Sequence, residues 1–121
     1  MYYISVESHF DAAHFLRGYG GKCENLHGHR YTVAVKLAAA EVNEIGLAYD
    51  FSDVKAALKP LLDRYDHTLL NNVQPFDKIN PSAENLARTF FDELKSKAEG
   101  ATLDSVTVWE SPESFAEYRE S

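Results

Sequence analysis

The sequence predicts an α+β domain in which two helices lie between two pairs of strands, and the four strands form one antiparallel sheet. Apolar and polar residues alternate near both ends of the chain, which is typical of half-buried strands. Between these segments lie two stretches with apolar residues at helical spacing. No repeat or long linker divides the 121 residues, so we expect a single domain spanning 1–121.

The first predicted strand covers about residues 2–13, and its expected buried face carries residues of one parity: Ile4, Val6, Phe10, Ala12 and His14. A glycine-containing loop leads to the second strand, in which the odd positions from His27 to Leu37 are expected to be buried. Near the other end of the chain, residues 105–110 predict a third strand that stops at a Ser-Pro turn. Residues 114–119 then predict the returning strand of a hairpin.

Two helices are predicted in the middle of the chain. Ser52 is the expected N-cap of the first helix, which runs to about Tyr65. Ser82, directly after Pro81, is the expected N-cap of the second helix. The apolar stripe of that helix consists of Leu86, Ala87, Phe90 and Leu94.

Composition excludes several classes of partner. The formal net charge of −7 opposes a general role in binding nucleic acids or anionic membranes. The N-terminal residues lack the basic start and the apolar run of a signal peptide, and no segment has the length of a membrane span. We therefore expect a cytoplasmic protein without nucleic-acid or membrane partners.

Three histidines share the faces that are predicted to be buried. His27 and His29 flank Gly28, so their side chains lie on one face of a strand, with backbones roughly 6.5 to 7 Å apart. His14 lies on the apolar parity of the first strand and reaches the same face if the two strands pair. Three neutral imidazoles suit Zn²⁺ and leave a coordination position open, as a catalytic site requires. The alternative is that they are core histidines that bond to backbone groups.

Cys23, the only cysteine, lies one short loop before His27 and cannot form an intramolecular disulfide. A nearby cation would make its thiol a competent base or nucleophile. The alternative is a fourth zinc ligand, which would close the site and exclude catalysis. Sequence spacing leaves both interpretations open.

Further candidates follow the first helix and end the third strand. His67 could carry protons if Asp66 or Glu110 lies within hydrogen-bonding reach, or it could only interact with the end of the helix. Glu110 ends an apolar row of one parity. It is either an exposed strand end or an anchor for a heterocycle whose two N–H donors meet one carboxylate.

These residues together resemble the 6-pyruvoyltetrahydropterin synthase superfamily over nearly the whole chain. Residues 10–14, Phe-Asp-Ala-Ala-His, resemble the first-strand zinc motif, and residues 23–29 resemble the family's Cys-x-x-x-His-Gly-His. The other matching segments follow in the family's order: Asp50-Phe51, Tyr65-Asp66-His67, residues 80–86 and Glu110.

The resemblance implies that His14, His27 and His29 bind zinc. It implies that Cys23 accepts a proton, that His67 relays it with help from Asp66, and that Glu110 anchors a pterin. The implied fold is a tunnelling fold, in which sheets from several subunits form a barrel with sites at subunit interfaces. A homo-oligomer, either a trimer or a hexamer, is therefore expected.

The implied reaction converts 7,8-dihydroneopterin triphosphate to 6-carboxy-5,6,7,8-tetrahydropterin, acetaldehyde and triphosphate, a step toward queuosine. Glu24 leaves the product open, because a folate-linked branch uses a glutamate as the base and makes 6-hydroxymethyldihydropterin. A third product is 6-pyruvoyltetrahydropterin, formed if the reaction stops before cleavage.

Two rival functions also fit these residues: a structural zinc or ligand-binding domain, and a zinc hydrolase with Glu24 or Glu110 as base. The triphosphate-binding residues stay open among four basic residues: Arg17, Lys22, Arg30 and Arg64.

Overall fold

The computed structural model describes residues 1–97 and 100–120. It contains five strands and two helices in chain order: β1 (Tyr2–His14), β2 (His27–Ala39), α1 (Phe51–Asp63), β3 (Thr68–Leu69), α2 (Ala83–Leu94), β4 (Thr102–Ser111) and β5 (Ser114–Tyr118). Short 3-10 turns cover Lys22–Glu24 and Leu70–Asn72. Within the described ranges, neither helix is long and apolar enough to cross a membrane.

The sheet has the strand order β3-β1-β2-β4-β5. The pairings β1–β2, β2–β4 and β4–β5 are antiparallel, which confirms the predicted fold class and the four long strands. The sequence did not predict β3, which adds two residues parallel to β1 opposite Ala12 and Ala13. A two-residue strand is too short to show any periodicity, so tertiary pairing alone defines it.

Both helices cover one face of the sheet, and the core lies between these layers. The predicted parity is confirmed, since Val6, Phe10, Ala12 and His14 are buried on β1, whereas Ile4 is only partly buried. The ring of Phe10 stacks on Tyr31 at 4.9 Å and meets the edge of Phe90 at 6.0 Å. These aromatic contacts fix the end of the sheet near His14.

The start of α1 corrects one prediction. The N-cap is Asp50 and not Ser52, because the carboxylate of Asp50 accepts a hydrogen bond from the backbone N–H of Ser52 at 2.8 Å. An ionised carboxylate at this position also interacts favourably with the positive end of the helix. Helix α1 ends at Asp63, two residues before the predicted boundary. The predicted cap of α2 is confirmed, since Ser82 Oγ accepts from the N–H of Asn85.

Candidate metal centre

The pairing of β1 with β2 brings the three predicted histidines together. His14 is directly opposite His27, and Ala12 is opposite His29, so all three imidazoles project toward the helix-covered side of the sheet. The three ring centroids are separated by 4.6 to 5.1 Å. One ligand nitrogen from each ring lies within 4.8 Å of the other two. This is the cluster that strand parity predicts.

Backbone carbonyls determine which nitrogen of each ring faces this cluster. His14 Nδ1 lies 2.7 Å from the carbonyl oxygen of Pro81, and His27 Nδ1 lies 2.6 Å from that of Asn25. A carbonyl can only accept, so both Nδ1 atoms carry the hydrogen, and in a neutral ring Nε2 is then a lone pair. The two Nε2 atoms face each other at 3.0 Å. Two lone pairs at this distance repel unless a proton or a metal ion lies between them.

The third ring also offers a free nitrogen. Within residues 1–97 and 100–120, the buried His29 Nε2 has no hydrogen-bond partner. The carboxylate of Glu110 lies beside the three rings, with Oε1 3.3 Å from His14 Nε2 and 3.8 Å from His29 Nε2. Three imidazole nitrogens form a donor set of the kind that divalent zinc binds. The residues present therefore fit a metal ion.

Burial favours the neutral form of two of these rings. Desolvation lowers the pKa of His14, which is only 1% exposed, against the opposing effects of the Pro81 carbonyl and the Glu110 carboxylate. Desolvation also lowers the pKa of His29, again against Glu110. A metal ligand must be a neutral imidazole, so burial reduces the competition between protons and the metal.

Cys23 and Glu24 lie together on the 3-10 turn that precedes β2. The N–H of Leu16 donates to the carbonyl of Cys23 at 2.6 Å, which ties this turn to the chain just after β1. Cys23 is half-buried and Glu24 is exposed. In the part of the chain that the structure describes, Cys23 does not join the cluster of ligand atoms that the three histidines form. The three histidines therefore converge without Cys23.

Asp66 and His67 form a second constellation beside the edge of β1. His67 Nδ1 lies 2.9 Å from Asp66 Oδ2, and Asp66 Oδ1 accepts from the backbone N–H of Asp11 at 2.9 Å. These bonds lower the pKa of Asp66, the bond from Asp11 most strongly. His67 is 79% exposed and has a positive φ of 59°, an uncommon backbone conformation for a residue other than glycine. The sequence offers Asp66 and Glu110 as possible partners of His67. Within this chain, Asp66 is the one that lies at hydrogen-bonding distance from its ring.

The two constellations lie on opposite faces of the sheet. The side chain of Asp11 points away from the face that carries Ala12 and His14, because successive side chains of a strand alternate. One oxygen from each carboxylate of Asp11 and Asp66 lies within 4.8 Å of a ring nitrogen of His67, which places this group on the exposed face. The structure thus unites Glu110 with the three histidines and separates both from Asp66 and His67.

Two asparagine side chains extend β1 beyond His14, and the sequence did not predict a structural role for either of them. The buried side chain of Asn71 accepts from the N–H of Phe15 and donates to its carbonyl, both at 3.0 Å. The side chain of Asn80 makes the same pair of bonds with the backbone of Arg17. These amides continue the pairing of β1 beyond its last residue, and no periodic pattern in the sequence could reveal them.

Three of the four basic candidates for triphosphate binding are engaged elsewhere. The guanidinium of Arg17 donates to backbone carbonyls, including Phe76 at 3.0 Å. Arg30 pairs with Asp11, and Arg64 pairs with Glu93. Lys22 is exposed on the turn that carries Cys23.

Comparisons with known proteins agree over the whole chain. Residues 3–121 match the family model described as 6-pyruvoyl tetrahydropterin synthase. The 6-carboxy-5,6,7,8-tetrahydropterin synthase of Haemophilus influenzae is 35% identical, and the match covers 99% of this chain and 100% of the relative. The enzyme of the same name from Bacillus subtilis is 34% identical over 96% of this chain and 84% of its own. The structure of Caenorhabditis elegans 6-pyruvoyl tetrahydropterin synthase superposes with a TM-score of 0.84 at 33% identity, covering 100% of this chain and 98% of that one.

Proposed function

Because the chain belongs to the 6-pyruvoyl tetrahydropterin synthase family, we propose that it is a zinc-dependent carbon–carbon lyase that acts on a pterin triphosphate. The substrate is 7,8-dihydroneopterin triphosphate, and the products are 6-carboxy-5,6,7,8-tetrahydropterin, acetaldehyde and triphosphate. The reaction belongs to queuosine biosynthesis. The observation that carries the proposal is the convergence of ring nitrogens from three histidines on one point, in a chain whose curated relatives are named 6-carboxy-5,6,7,8-tetrahydropterin synthase.

His14, His27 and His29 hold the metal ion in this proposal. When bound, zinc would supply Lewis-acid polarisation of the side-chain hydroxyls of the substrate. Cys23 accepts the proton that this polarisation makes acidic. Its location outside the ligand cluster supports the role of a base over that of a fourth ligand.

His67 passes the proton on, with Asp66 as the group that orients its ring. Because Nδ1 is bound to Asp66, Nε2 is the nitrogen that remains for proton exchange, and the ring is exposed. The relay of one chain lies on the opposite face of the sheet from that chain's own histidines. A complete site therefore takes His67 from a second copy, and we propose a homo-oligomer, a trimer or a hexamer, with its sites between subunits.

Glu110 anchors the pterin ring. Two parallel N–H donors on the amidine edge of the pterin match the two oxygens of one carboxylate. Glu110 is one-third exposed and lies beside the histidines, so an anchored ring would present its side chain to the metal. This arrangement brings the reacting carbons close to the Lewis acid.

Glu24 supports a second candidate product, because it shares the turn Lys22–Glu24 with Cys23. If Glu24 is the base, the product is 6-hydroxymethyldihydropterin, and 6-pyruvoyltetrahydropterin results if the reaction stops before carbon–carbon cleavage. The test is incubation of the zinc-loaded protein with dihydroneopterin triphosphate, with the products separated by chromatography and identified by mass. Acetaldehyde together with the carboxypterin is the expected result.

Two variants assign the base in the same assay. We expect Cys23→Ala to abolish formation of the carboxypterin, and Glu24→Ala to leave most of it intact. Zinc content, measured for each variant, separates loss of the base from loss of the metal. If the zinc-loaded wild-type protein turns over no pterin at all, the proposed function is wrong.

A further inference from the structure

Two carboxylates lie near the ring of His67. Nδ1 lies 2.9 Å from Asp66 Oδ2, so Asp66 is its hydrogen-bond partner. A carboxylate oxygen of Asp11 lies within 4.8 Å of a ring nitrogen of His67 and of an oxygen of Asp66. Asp11 is therefore a second negative charge close to the ring, and a turn of the ring toward it would change the direction in which Nε2 points.

Arg30 neutralises the charge of Asp11. It is directly opposite Asp11 in the β1–β2 register, so both side chains lie on the exposed face of the sheet. Its Nε lies 2.9 Å from Asp11 Oδ1, and its second nitrogen lies 3.1 Å from Oδ2. This fork engages both oxygens of Asp11, and a guanidinium stays charged at every working pH. Asp66 is then the stronger carboxylate acceptor for His67.

The backbone around this pair holds Asp66 and His67 independently of the Asp11 side chain. The N–H of Asp11 donates to Asp66 Oδ1, and the carbonyl of Asp11 accepts from the N–H of His67 at 2.6 Å. Both contacts use peptide groups, so they survive any change of the Asp11 carboxylate. Asp11 can therefore be neutralised without releasing the dyad.

We propose that the Arg30–Asp11 ion pair is a positioning device that reserves Asp66 as the carboxylate partner of His67 Nδ1 and so leaves Nε2 free and oriented for proton transfer. Its catalytic consequence rests on the proposed function, whereas the arrangement of charges does not. Arg30 and Asp11 are positioning residues, since they act through Asp66 and His67.

The charges around Asp11 support the proposed role of the Arg30–Asp11 ion pair. The hydrogen bond from Arg30 lowers the pKa of Asp11, although the neighbouring charge of Asp66 opposes this effect. The charges of Arg30, Asp66 and His67 all act on Asp11. Without Arg30, two unneutralised carboxylates would face one imidazole, and they would favour its protonated form. The same fork also argues against a second metal site at these carboxylates, because a guanidinium already occupies Asp11.

The test is an NMR titration of the His67 ring in Arg30→Gln, with its resonance identified by its loss in His67→Asn. We expect the titration to move to higher pH, because loss of the Arg30 charge leaves two carboxylates to favour the protonated ring. The double variant Asp11→Asn/Arg30→Gln should return the titration to that of the wild type, because the competing carboxylate has lost its charge. Lys36→Gln is the matched control, since Lys36 lies on the same face of β2.

In turnover assays, kcat is measured as a function of pH. Its acidic limb should move to higher pH in Arg30→Gln and return to the wild-type position in the double variant. The proposal would be overturned if the His67 titration in Arg30→Gln matched that of the wild type. It would also be overturned if the double variant kept the shifted titration of Arg30→Gln. A raised KM for the triphosphate substrate with an unmoved titration would also overturn it, because Arg30 would then contact the substrate. If the titration shifts as expected but the wild type turns over no pterin, the proposed function fails and the positioning role of the pair stands.

Discussion

His14 Nδ1 donates a hydrogen bond to the carbonyl oxygen of Pro81, which lies 67 positions later in the chain and 2.7 Å away. The bond joins the last residue of β1 to the segment that begins α2, and it leaves Nε2 as the nitrogen that faces the other two histidines. In metal sites, hydrogen bonds of this kind to ligand histidines orient the ring and raise metal affinity. The histidine cluster is therefore built by the packing of α2 against the sheet as well as by the strand register.

The first prediction separates ligands from the proposed base. His27→Ala should bind far less than the one zinc ion expected per chain, because it removes one of three imidazoles. Cys23→Ala should keep its zinc, since Cys23 lies outside the ligand cluster. Metal content of dialysed protein, measured by mass spectrometry, gives the comparison. Loss of zinc from Cys23→Ala would instead indicate a closed structural site.

The second prediction concerns the amide that extends β1. Asn71→Ala removes two bonds to the backbone of Phe15 and leaves its half-buried N–H and carbonyl without these partners, which should lower the free energy of unfolding by about 1 to 3 kcal/mol. Zinc affinity should fall as well, because Phe15 directly follows His14. Asn72→Ala is the control, since Asn72 is exposed on the same 3-10 turn. Urea unfolding at one fixed protein concentration provides the measurement, and equal effects of the two changes would contradict this role.

How much of the site follows from the sequence depends on the kind of contact. Strand parity was sufficient for His14, His27 and His29, because side chains of one parity on paired strands share a face. The carbonyls of Pro81 and Asn25 could not be predicted, since every residue has a carbonyl and only the packed structure selects one. The separation of His67 from the histidines also required the structure, because it depends on the path of the chain after α1.

The third prediction tests the role of Glu110. Glu110→Gln keeps the size of the side chain but removes the charge that would meet the pterin N–H donors. A charged hydrogen bond contributes about 1.5 to 3 kcal/mol, so KM for dihydroneopterin triphosphate should rise roughly 10- to 150-fold. Zinc content should stay near that of the wild type. If the variant loses its zinc instead, Glu110 is a metal ligand and not an anchor.

The last prediction concerns the start of α1, where Asp50 is the cap and Ser52 is not. Both residue types favour the N-cap position, and they lie only two residues apart, so the sequence alone could not choose between them. The structure decides because the carboxylate of Asp50 accepts the N–H of Ser52 at 2.8 Å. Asp50→Ala should therefore cost about 1 kcal/mol of unfolding free energy, measured by urea denaturation. Ser52→Ala is the matched control and should change it by less than about half that amount, since alanine is favourable inside a helix. A larger cost for Ser52→Ala than for Asp50→Ala would mean that the helix begins where the sequence first suggested.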